Sequence, residues 1–346
     1  MTAKPSTPLQ FALRCIAGGQ SLSAEQAGAA FDAVMAGEGT GPQLGALLMG
    51  LRVKGETADE LTGAARALRR AMTALVTKAP ADLVDTCGTG GGAMTTFNIS
   101  TASAILAAGA GVRVAKHGNR SATTRSGSAD VLEALGVAID VPVDHMGEVL
   151  DRAGIVFMFA PTMHPAMRHV GPARREMAIE TLMNLVGPLA NPAGAGRQVI
   201  GVASPARLEL VAGALQRLGT VHSLVLHGAP GMDEISPLGP TQILELRGET
   251  ITRWSLDPAE YGFAGMNPAD LAGGEPSENA ALIEAVLAGG GPPAAAAAVL
   301  LNAAGAVYVA GKAADYKAAL QVARGALSSG AGSAALERLR AAAPHQ

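Results

Sequence analysis

The feature that most constrains this sequence is a run of glycines that directly follows a short apolar segment, residues 81–85. Four glycines fall within five residues: Gly88, Gly90, Gly91 and Gly92. Because glycine adopts positive φ and leaves its backbone N–H group accessible, such a run can close around an anion. Ser100 and Thr101 follow at the predicted start of a helix over residues 102–110, where hydroxyls and unpaired N–H groups favour negative charge.

A second loop, rich in hydroxyl and basic side chains, follows the next predicted strand, residues 111–115. Lys116, Arg120 and Arg125 are expected to bring positive charge from this loop. The strand–helix–strand pattern predicts two parallel strands whose carboxyl ends lie at one edge of a sheet. Both loops therefore indicate one site for a highly phosphorylated ligand.

Other known glycine loops fit less well. A P-loop requires Lys-Ser or Lys-Thr after its last glycine, and none follows here. The dinucleotide pattern G-x-G-x-x-A is present over residues 88–93, but that motif needs a helix at once and an acidic residue about 20 positions later. Residues 94–99 intervene, and the second strand leads into the basic pair Lys116-His117.

Two adjacent carboxylates, Asp233 and Glu234, follow a predicted strand over residues 221–226. Neighbouring phosphates are commonly bound together with Mg²⁺, which prefers oxygen ligands. Asp233 and Glu234, with the Ser100 hydroxyl, are therefore candidate magnesium ligands. A solvated acidic turn is the alternative for such a pair taken alone.

The remaining chain predicts an α/β fold in which a small all-α domain precedes a large α/β domain with a mostly parallel central sheet and helices on both faces. Residues 1–77 read as four helices, two of them headed by capping-box patterns at Ser23 and Thr57. The expected domains are 1–77, joined by helices from about 168–186, and 78–346. Further elements are predicted as follows: strands 137–140, 155–159 and 199–203, helices 129–135, 145–153, 164–185, 208–218 and mostly 278–340, and an antiparallel pair 241–246 and 250–255.

Composition narrows the functional classes. Lys and Arg number 26 against 29 Asp and Glu, a formal charge of −3, so a nucleic-acid-binding surface is not expected. The two cysteines lack metal-site spacing, the first five residues lack the plan of a signal peptide, and no apolar run is long enough to span a membrane. These features predict a cytoplasmic protein without membrane contact.

At its motifs the chain resembles the anthranilate phosphoribosyltransferase family, within the nucleoside-phosphorylase-like class of phosphoribosyltransferases. The resemblance covers essentially the whole chain, and as a set its motifs are highly specific. The matching motifs are DTCGTGG (85–91), FNIST (97–101), VAKHGNR (114–120), SGSAD (126–130), FAP with His164-Pro165 (159–165), NLVGPLANP (184–192), GMDEIS (231–236), and LNAA with YVAGK (301–312).

The resemblance implies attack of the anthranilate amine on the anomeric carbon of 5-phosphoribosyl-1-pyrophosphate, with release of pyrophosphate, as the second step of tryptophan biosynthesis from chorismate. It implies Mg²⁺ as cofactor at Ser100, Asp233 and Glu234, and a homodimer formed through the N-terminal helices. The implied donor-binding residues are Gly88, Gly91, Gly92, Thr96, Asn98, Ser100, Thr101, Lys116 and Ser128, and the implied anthranilate-binding residues are Gly88, His117, Asn119, His164 and Arg174. His117 is a candidate general base, although a positioning role is favoured.

Two positions depart from the family pattern. The family usually has Asp where this chain has Gly92, and Arg where it has Glu180. A paralogue that uses another aromatic acceptor therefore stays open, as do a nucleoside phosphorylase and a non-enzymatic nucleic-acid-binding relative.

Overall fold

The computed structural model describes residues 6–121 and 124–343. The prediction about the first five residues, and Ala122 and Thr123 of the second loop, lie outside these ranges. The chain begins with four helices, each opened by a threonine or serine whose side chain caps the third backbone N–H of the helix. They are α1 (Pro8–Ala17), α2 (Ala24–Met35), α3 (Gly41–Lys54) and α4 (Ala58–Ala71).

The remainder is built on a seven-stranded sheet of order β3-β2-β1-β4-β5-β6-β7. The first five strands in this order are parallel, and β6 and β7 add an antiparallel hairpin at one edge. The strands are β1 (Val84–Gly88), β2 (Val114–Gly118), β3 (Ile155–Phe159), β4 (Arg197–Gly201), β5 (His222–Gly228), β6 (Thr241–Arg247) and β7 (Thr250–Leu256). The mostly parallel sheet predicted from the sequence is confirmed.

Helices cover both faces of the sheet, and alternate residues of one strand enter different hydrophobic clusters. Val199 of β4 belongs to the cluster around the C-terminal helices, whereas its neighbour Ile200 belongs to the cluster around the N-terminal helices. The second cluster also contains Val170 and Leu182. The helices after β1 are α5 (Ile99–Gly109), α6 (Ser128–Ala134), α7 (Val143–Ala153), α8 (Ala160–Met163), α9 (Gly171–Met177), α10 (Leu182–Val186), α11 (Leu208–Leu218), α12 (Pro276–Leu287), α13 (Pro293–Val309), α14 (Tyr316–Ser328) and α15 (Ala331–Ala342).

Two predicted elements are wrong. Residues 137–140 do not form a strand of the sheet, since β3 closes the sheet beside β2 and Pro142 precedes the next helix. Residues 164–185 are not one helix. A 3₁₀ turn (Pro165–His169), α9 and α10 replace it, because Gly171-Pro172 interrupts the run and Ala178 adopts a left-handed conformation with φ 50°.

Several strand and helix bounds also differ from the sequence prediction. The first two strands begin three residues later than predicted, because Pro80–Asp82 forms a 3₁₀ turn and Gly111 has a positive φ of 82°. The capping boxes at Ser23 and Thr57 are confirmed, as is the antiparallel pair β6–β7.

The chain's one tryptophan and its three tyrosines lie in a single cluster at the hairpin edge of the sheet. The Trp254 ring centroid is 6.0 Å from that of Tyr316, which is 5.4 Å from Tyr261 and 6.3 Å from Tyr308. The Trp254 indole N–H donates to the Glu245 carboxylate at 2.9 Å, and the Tyr308 hydroxyl donates to the same carboxylate at 3.0 Å. The cluster therefore anchors the outer strands to α13 and α14.

Candidate active site

The carboxyl ends of the central parallel strands meet at one edge of the sheet, and the glycine loop lies there. Gly90 and Gly91 adopt φ of 69° and 78°, which confirms the need for glycine at this turn. The Thr89 N–H donates to the Gly201 carbonyl at 2.9 Å, and the Gly90 N–H donates to Asp233 Oδ2 at 2.9 Å. The loop is thus attached directly to the end of β4 and to the acidic segment.

Lys116 lies beneath this loop and is only 2% exposed. Its ammonium donates to the Thr86 carbonyl at 2.7 Å and to Ser100 Oγ at 3.3 Å. Burial lowers the pKa of Lys116, and the charges of Asp85 and Glu234 oppose that shift. The structure therefore brings Lys116 and Ser100 together at the start of α5, where the Ser100 backbone N–H also bonds to the Glu234 carboxylate.

Asp233 and Glu234 line a small cavity of about 10 Å³ together with Ser100, which places the three candidate magnesium ligands side by side. Burial raises the pKa of Asp233 and raises that of Glu234 well above its usual value; the Asp233 charge adds to the Glu234 shift, and Lys116 opposes it. Glu234 Oε2 is buried without a hydrogen-bond partner among the described residues. A desolvated pair of carboxylates with an unpaired oxygen fits a hard cation.

Within residues 6–121 and 124–343, no group of three or more His, Cys, Asp or Glu side chains gathers as a metal site. The oxygen set at this position is therefore two carboxylates and the Ser100 hydroxyl. That set matches magnesium sites in which one or two carboxylates act together with substrate phosphates and water.

Gly92 lies against the acidic segment. An ideal Cβ at position 92 would lie 3.1 Å from the Gly231 carbonyl oxygen and 3.3 Å from Asp233 Oδ1. An added side chain at position 92 would therefore press on the acidic segment. Gly91 is restricted by its positive φ of 78°, whereas the atom nearest its Cβ, Glu180 Oε1 at 2.5 Å, ends a flexible side chain.

The other predicted donor-binding residues surround the two loops. Asn98 precedes α5, and its side chain bonds to Ser126. Thr101 is buried, and its hydroxyl has no partner among the described residues. Thr96 pairs with Ala272 in an isolated antiparallel bridge. Ser128 Oγ accepts from the Asn119 N–H at 3.1 Å and donates to the Asn119 carbonyl at 3.2 Å. Ser128 thereby fixes the backbone at Asn119.

Arg120 and Arg125 do not bring free positive charge to the site. The Arg120 guanidinium is paired with Asp130 at 2.8 Å and with Glu133 at 2.6 Å, and it stacks over Phe159. Arg125 lies 3.9 Å from Glu275 at the surface. The buried positive charge beside the strand of the glycine loop is that of Lys116.

The opposite face of the sheet carries a pair of histidines. Successive side chains of a strand point to opposite faces. His117 follows Lys116 and therefore faces away from it, with its ring 4.8 Å from that of His164 and tilted by 58°. Burial lowers the pKa of His117 to about 3 and that of His164 to about 4, and the neighbouring His164 further lowers the His117 value. Both rings are neutral near pH 7, and His117 Nε2 is buried without a partner among the described residues.

Asp85 lies on the same face as His117 and was missed as a site residue. Its carboxylate is fully buried and accepts from the His117 N–H at 3.2 Å and from Asn191 Nδ2 at 2.8 Å. Burial raises the pKa of Asp85, whereas Lys116 and Asn191 lower it. Asn191 belongs to the motif at 184–192, but no sequence spacing indicates its contact with Asp85 across 106 residues.

Arg174 projects from α9 toward Asn184 of α10, and its Nη2 donates to Asn184 Oδ1 at 3.4 Å. Burial lowers the pKa of Arg174, and no carboxylate in the described part of the chain pairs with it. Asn184 lines a cavity of about 270 Å³ between the helical segment and the sheet edge, which also includes Arg52, Thr89 and Glu180. A half-buried guanidinium without an acidic partner is suited to a ligand carboxylate.

The structure thus divides the predicted residues into two groups around the carboxyl ends of β1 and β2. Lys116, Ser100, Asp233 and Glu234 lie with the glycine loop, whereas His117 and His164 lie on the other face. Asn119 is exposed at the loop that follows β2, and its Oδ1 accepts from the Arg120 N–H at 2.7 Å.

Comparisons with known proteins agree with this architecture. Residues 11–72 match the model "Glycosyl transferase family, helical bundle domain", and residues 80–333 match "Glycosyl transferase family, a/b domain". The chain is 48% identical over 330 residues to anthranilate phosphoribosyltransferase of Rubrobacter xylanophilus, covering 95% of this chain and 96% of that protein. It is 49% identical over 317 residues to anthranilate phosphoribosyltransferase 2 of Streptomyces coelicolor, covering 92% and 94%.

Solved structures show the same fold. The crystal structure of anthranilate phosphoribosyltransferase from Thermus thermophilus superposes with a TM-score of 0.90 at 42% identity, covering 96% of this chain and 98% of that one. The Saccharomyces cerevisiae enzyme, in complex with PRPP and Mg, has a TM-score of 0.88 at 24% identity, with 98% of both chains covered.

Proposed function

The chain belongs to the glycosyl transferase family that includes the anthranilate phosphoribosyltransferases, and from this membership we propose that it phosphoribosylates anthranilate. The anthranilate nitrogen forms a bond to C1 of 5-phosphoribosyl-1-pyrophosphate as the C1–oxygen bond to pyrophosphate breaks. Phosphoribosylanthranilate, pyrophosphate and a proton are the products. This is the second step of tryptophan biosynthesis from chorismate.

The observation that carries this proposal is that Ser100 accepts from the buried Lys116 and lines one small cavity with the carboxylates of Asp233 and Glu234. We assign the anionic phosphates of the donor to the glycine-loop N–H groups and to Lys116. Two of the donor residues proposed from the sequence, Asn98 and Ser128, hold the two loops in position. The positions of these groups suit a small polyphosphate ester.

We assign Ser100, Asp233 and Glu234 to Mg²⁺, the ion named with PRPP for the yeast structure. When bound, the ion neutralises charge on the pyrophosphate as it leaves. Its presence also compensates the two desolvated carboxylates, whose pKa values are raised by burial.

We assign the acceptor to the histidine side of the carboxyl ends of β1 and β2, between His117, His164, Asn119 and Arg174. The Arg174 guanidinium can bind the carboxylate of anthranilate in bidentate fashion. The aromatic amine is already a neutral nucleophile, so no strong base is required before attack. His117 Nε2 is a neutral acceptor oriented on this face, and we propose that it positions the acceptor and takes no proton before the attack.

Most of the rate enhancement then comes from placing two reactants in line at the end of β1 and β2 and from stabilising the leaving group. The cavity that Asn184 lines also includes Thr89 and Gly90 of the glycine loop, so an acceptor bound beside Arg174 lies next to the donor site.

A related acceptor is the second candidate, and one observation favours it. Glu180 lines the 270 Å³ cavity, where the family usually has arginine, so the electrostatics at the cavity differ from the family pattern. An acceptor bearing a cationic group would gain from Glu180, whereas a second carboxylate would be disfavoured.

The assay mixes the purified protein with anthranilate, 5-phosphoribosyl-1-pyrophosphate and MgCl₂, and follows the loss of anthranilate fluorescence. Turnover that requires all three components is expected. Folded protein that leaves anthranilate unchanged across a range of divalent ions would contradict the proposal. Replacement of anthranilate by 3- or 4-amino-substituted analogues in the same assay tests the second candidate.

We further propose that residues 1–77 with 168–186 form one domain and the rest of 78–346 the other, and that the protein acts in the cytoplasm. No helix in the described ranges is long and apolar enough to cross a bilayer. A homodimer through α1 and α3 is supported by Phe11, Met49 and Val53, whose side chains are 40%, 43% and 79% exposed. Sedimentation should show a dimer that Val53→Glu weakens.

A further inference from the structure

Two asparagines on the C-terminal helices are almost fully buried and bond to the loops of the candidate site. Asn279 of α12 is 3% exposed and Asn302 of α13 is 7% exposed. Buried amides need all their hydrogen bonds satisfied, so the groups they bond to are held in defined positions. Asn279 is absent from the predicted site residues, and Asn302 belongs to a motif without an assigned role.

Asn279 holds the side chain of Asn98. Its Nδ2 donates to Asn98 Oδ1 at 2.9 Å, and its own Oδ1 accepts from the Gly274 N–H at 2.8 Å. The Gly274 contact fixes which end of the Asn279 amide faces Asn98. Asn279 is therefore oriented from its own helix and does not depend on a ligand.

Asn98 in turn links the two loops of the donor site. Its Oδ1 also accepts from Ser126 Oγ at 3.1 Å, and its Nδ2 donates to the Ser126 carbonyl at 3.1 Å. With two donors on its oxygen, the Asn98 side chain acts as a bridge between the start of α5 and the second loop. Its contribution to donor binding is thus through loop position.

Asn302 holds the acidic segment in the same way. Its Oδ1 accepts from the Ile235 N–H at 2.9 Å, and its Nδ2 donates to the Ile235 carbonyl and to the Ala298 carbonyl, both at 2.9 Å. Ile235 directly follows Glu234, and Asn302 lines the small cavity that contains Asp233 and Glu234. Both backbone groups of Ile235 are therefore fixed by one side chain.

We propose that Asn279 and Asn302 are separate positioning residues for the transferase, with Asn279 setting the loops that bind the phosphoribosyl donor and Asn302 setting the carboxylates that bind the metal ion. The assignment rests on the proposed function for the identity of the two ligands. In this assignment the residue that positions the donor-binding loops lies on α12, and the residue that positions the metal-binding carboxylates lies on α13.

The test compares Asn279→Ala and Asn302→Ala with Tyr316→Phe. Tyr316 is a matched control because its buried hydroxyl donates to the Leu301 carbonyl at 2.7 Å, so its loss removes a buried hydrogen bond beside Asn302 without touching either loop. Three quantities are measured for each protein: the KM for 5-phosphoribosyl-1-pyrophosphate, the Mg²⁺ concentration at half-maximal rate, and donor binding by calorimetry without anthranilate.

Asn279→Ala should raise the KM and the calorimetric Kd for the donor by about tenfold, with the Mg²⁺ requirement changed less than about twofold. Asn302→Ala should raise the Mg²⁺ requirement by about tenfold at saturating donor. Tyr316→Phe should lower the melting temperature and leave all three quantities unchanged. Asn98→Ala combined with Asn279→Ala should be no worse than Asn98→Ala alone, since Asn279 acts through Asn98.

Equal losses in both asparagine variants, or additive losses in the double variant, would overturn the proposal. If either alanine variant fails to fold, Asn279→Asp and Asn302→Asp are used in its place, because each keeps the acceptor oxygen and removes the donor N–H. A wild-type protein that neither binds the donor nor turns over refutes the proposed function instead. An active wild type with indistinguishable variants refutes only the positioning roles.

Discussion

Gly201 is the position at which a single added methyl group should lower activity strongly while the protein still folds. It ends β4, and its carbonyl accepts from the Thr89 N–H of the glycine loop. An ideal Cβ at position 201 would lie 2.9 Å from Asp233 Cα and would overlap the carbonyl group of Asp233. Because these are backbone atoms, no side-chain rotation can relieve the overlap.

The size of the displacement follows from the contact distances. Ordinary van der Waals contact begins at 3.4 Å, so the Asp233 Cα must move by at least about 0.5 Å and its carbonyl group by more. Productive sites tolerate about 0.5 Å of displacement, and misplacement by about 1 Å can cost about a hundredfold in rate. Gly201→Ala should therefore lower kcat/KM by about a hundredfold and raise the Mg²⁺ requirement.

The matched control is Gly147→Ala in the middle of α7, where nothing lies within 4 Å of an added Cβ. This change should stabilise the protein by about 0.5–1 kcal/mol without altering the kinetics. Gly201→Ala should cost about 1–3 kcal/mol through overpacking, measured by urea unfolding. Wild-type kcat/KM and Mg²⁺ dependence in folded Gly201→Ala would refute the placement of Asp233 at the metal site.

Three further predictions concern the acceptor side and the acidic pair. Arg174→Ala should raise the KM for anthranilate by about ten- to a hundredfold with little change for the donor, whereas exposed Arg175→Ala changes neither; equal effects on both substrates would remove the carboxylate role. His117 and His164 should remain neutral down to about pH 5 in ¹⁵N-histidine NMR, since their pKa values lie near 3 and 4. Because unfolded histidine titrates near pH 6.5, the pair's contribution to stability is full above about pH 6.5 and declines as the pH falls. A ring that titrates near pH 6.5 in the folded protein would contradict the burial. Glu234→Gln should raise the melting temperature by a few degrees in metal-free buffer and abolish the stabilisation of the protein by Mg²⁺ with donor. The reason is that burial raises the pKa of Glu234, so its charge is costly without the ion. A lower melting temperature of the variant without metal would show instead that the charge stabilises the fold.

The alternation of strands and helices was predictable because local patterns report it. The apolar run at Ile155–Phe159 and the helix at Leu208–Leu218 are found where hydrophobic spacing placed them. The strand predicted at 137–140 is wrong because its short apolar pattern does not indicate whether another strand lies beside it to pair with. The failed helix at 164–185 contains Gly171-Pro172, which interrupts a helix even where the apolar spacing continues through it.

Within the site, the glycine loop and the acidic pair Asp233-Glu234 were predictable because each is a contiguous run in the sequence. The supporting hydrogen bonds were not: Asn279 reaches Asn98 across 181 residues, and Asn302 reaches Ile235 across 67. Charge was misjudged for a related reason. Arg120 is basic in the sequence, but helix α6 places Asp130 and Glu133 against it.

The aromatic cluster at the hairpin edge has a spectroscopic consequence. Trp254 lies on β7, four strands from β1 in the sheet, which at about 4.8 Å per strand separates the two strands by roughly 19 Å. Because Trp254 is the only tryptophan, the protein's indole emission reports the integrity of the outer strands. Unfolding can thus be followed by indole emission while anthranilate is followed by its own fluorescence, so the two signals come from different ends of the sheet.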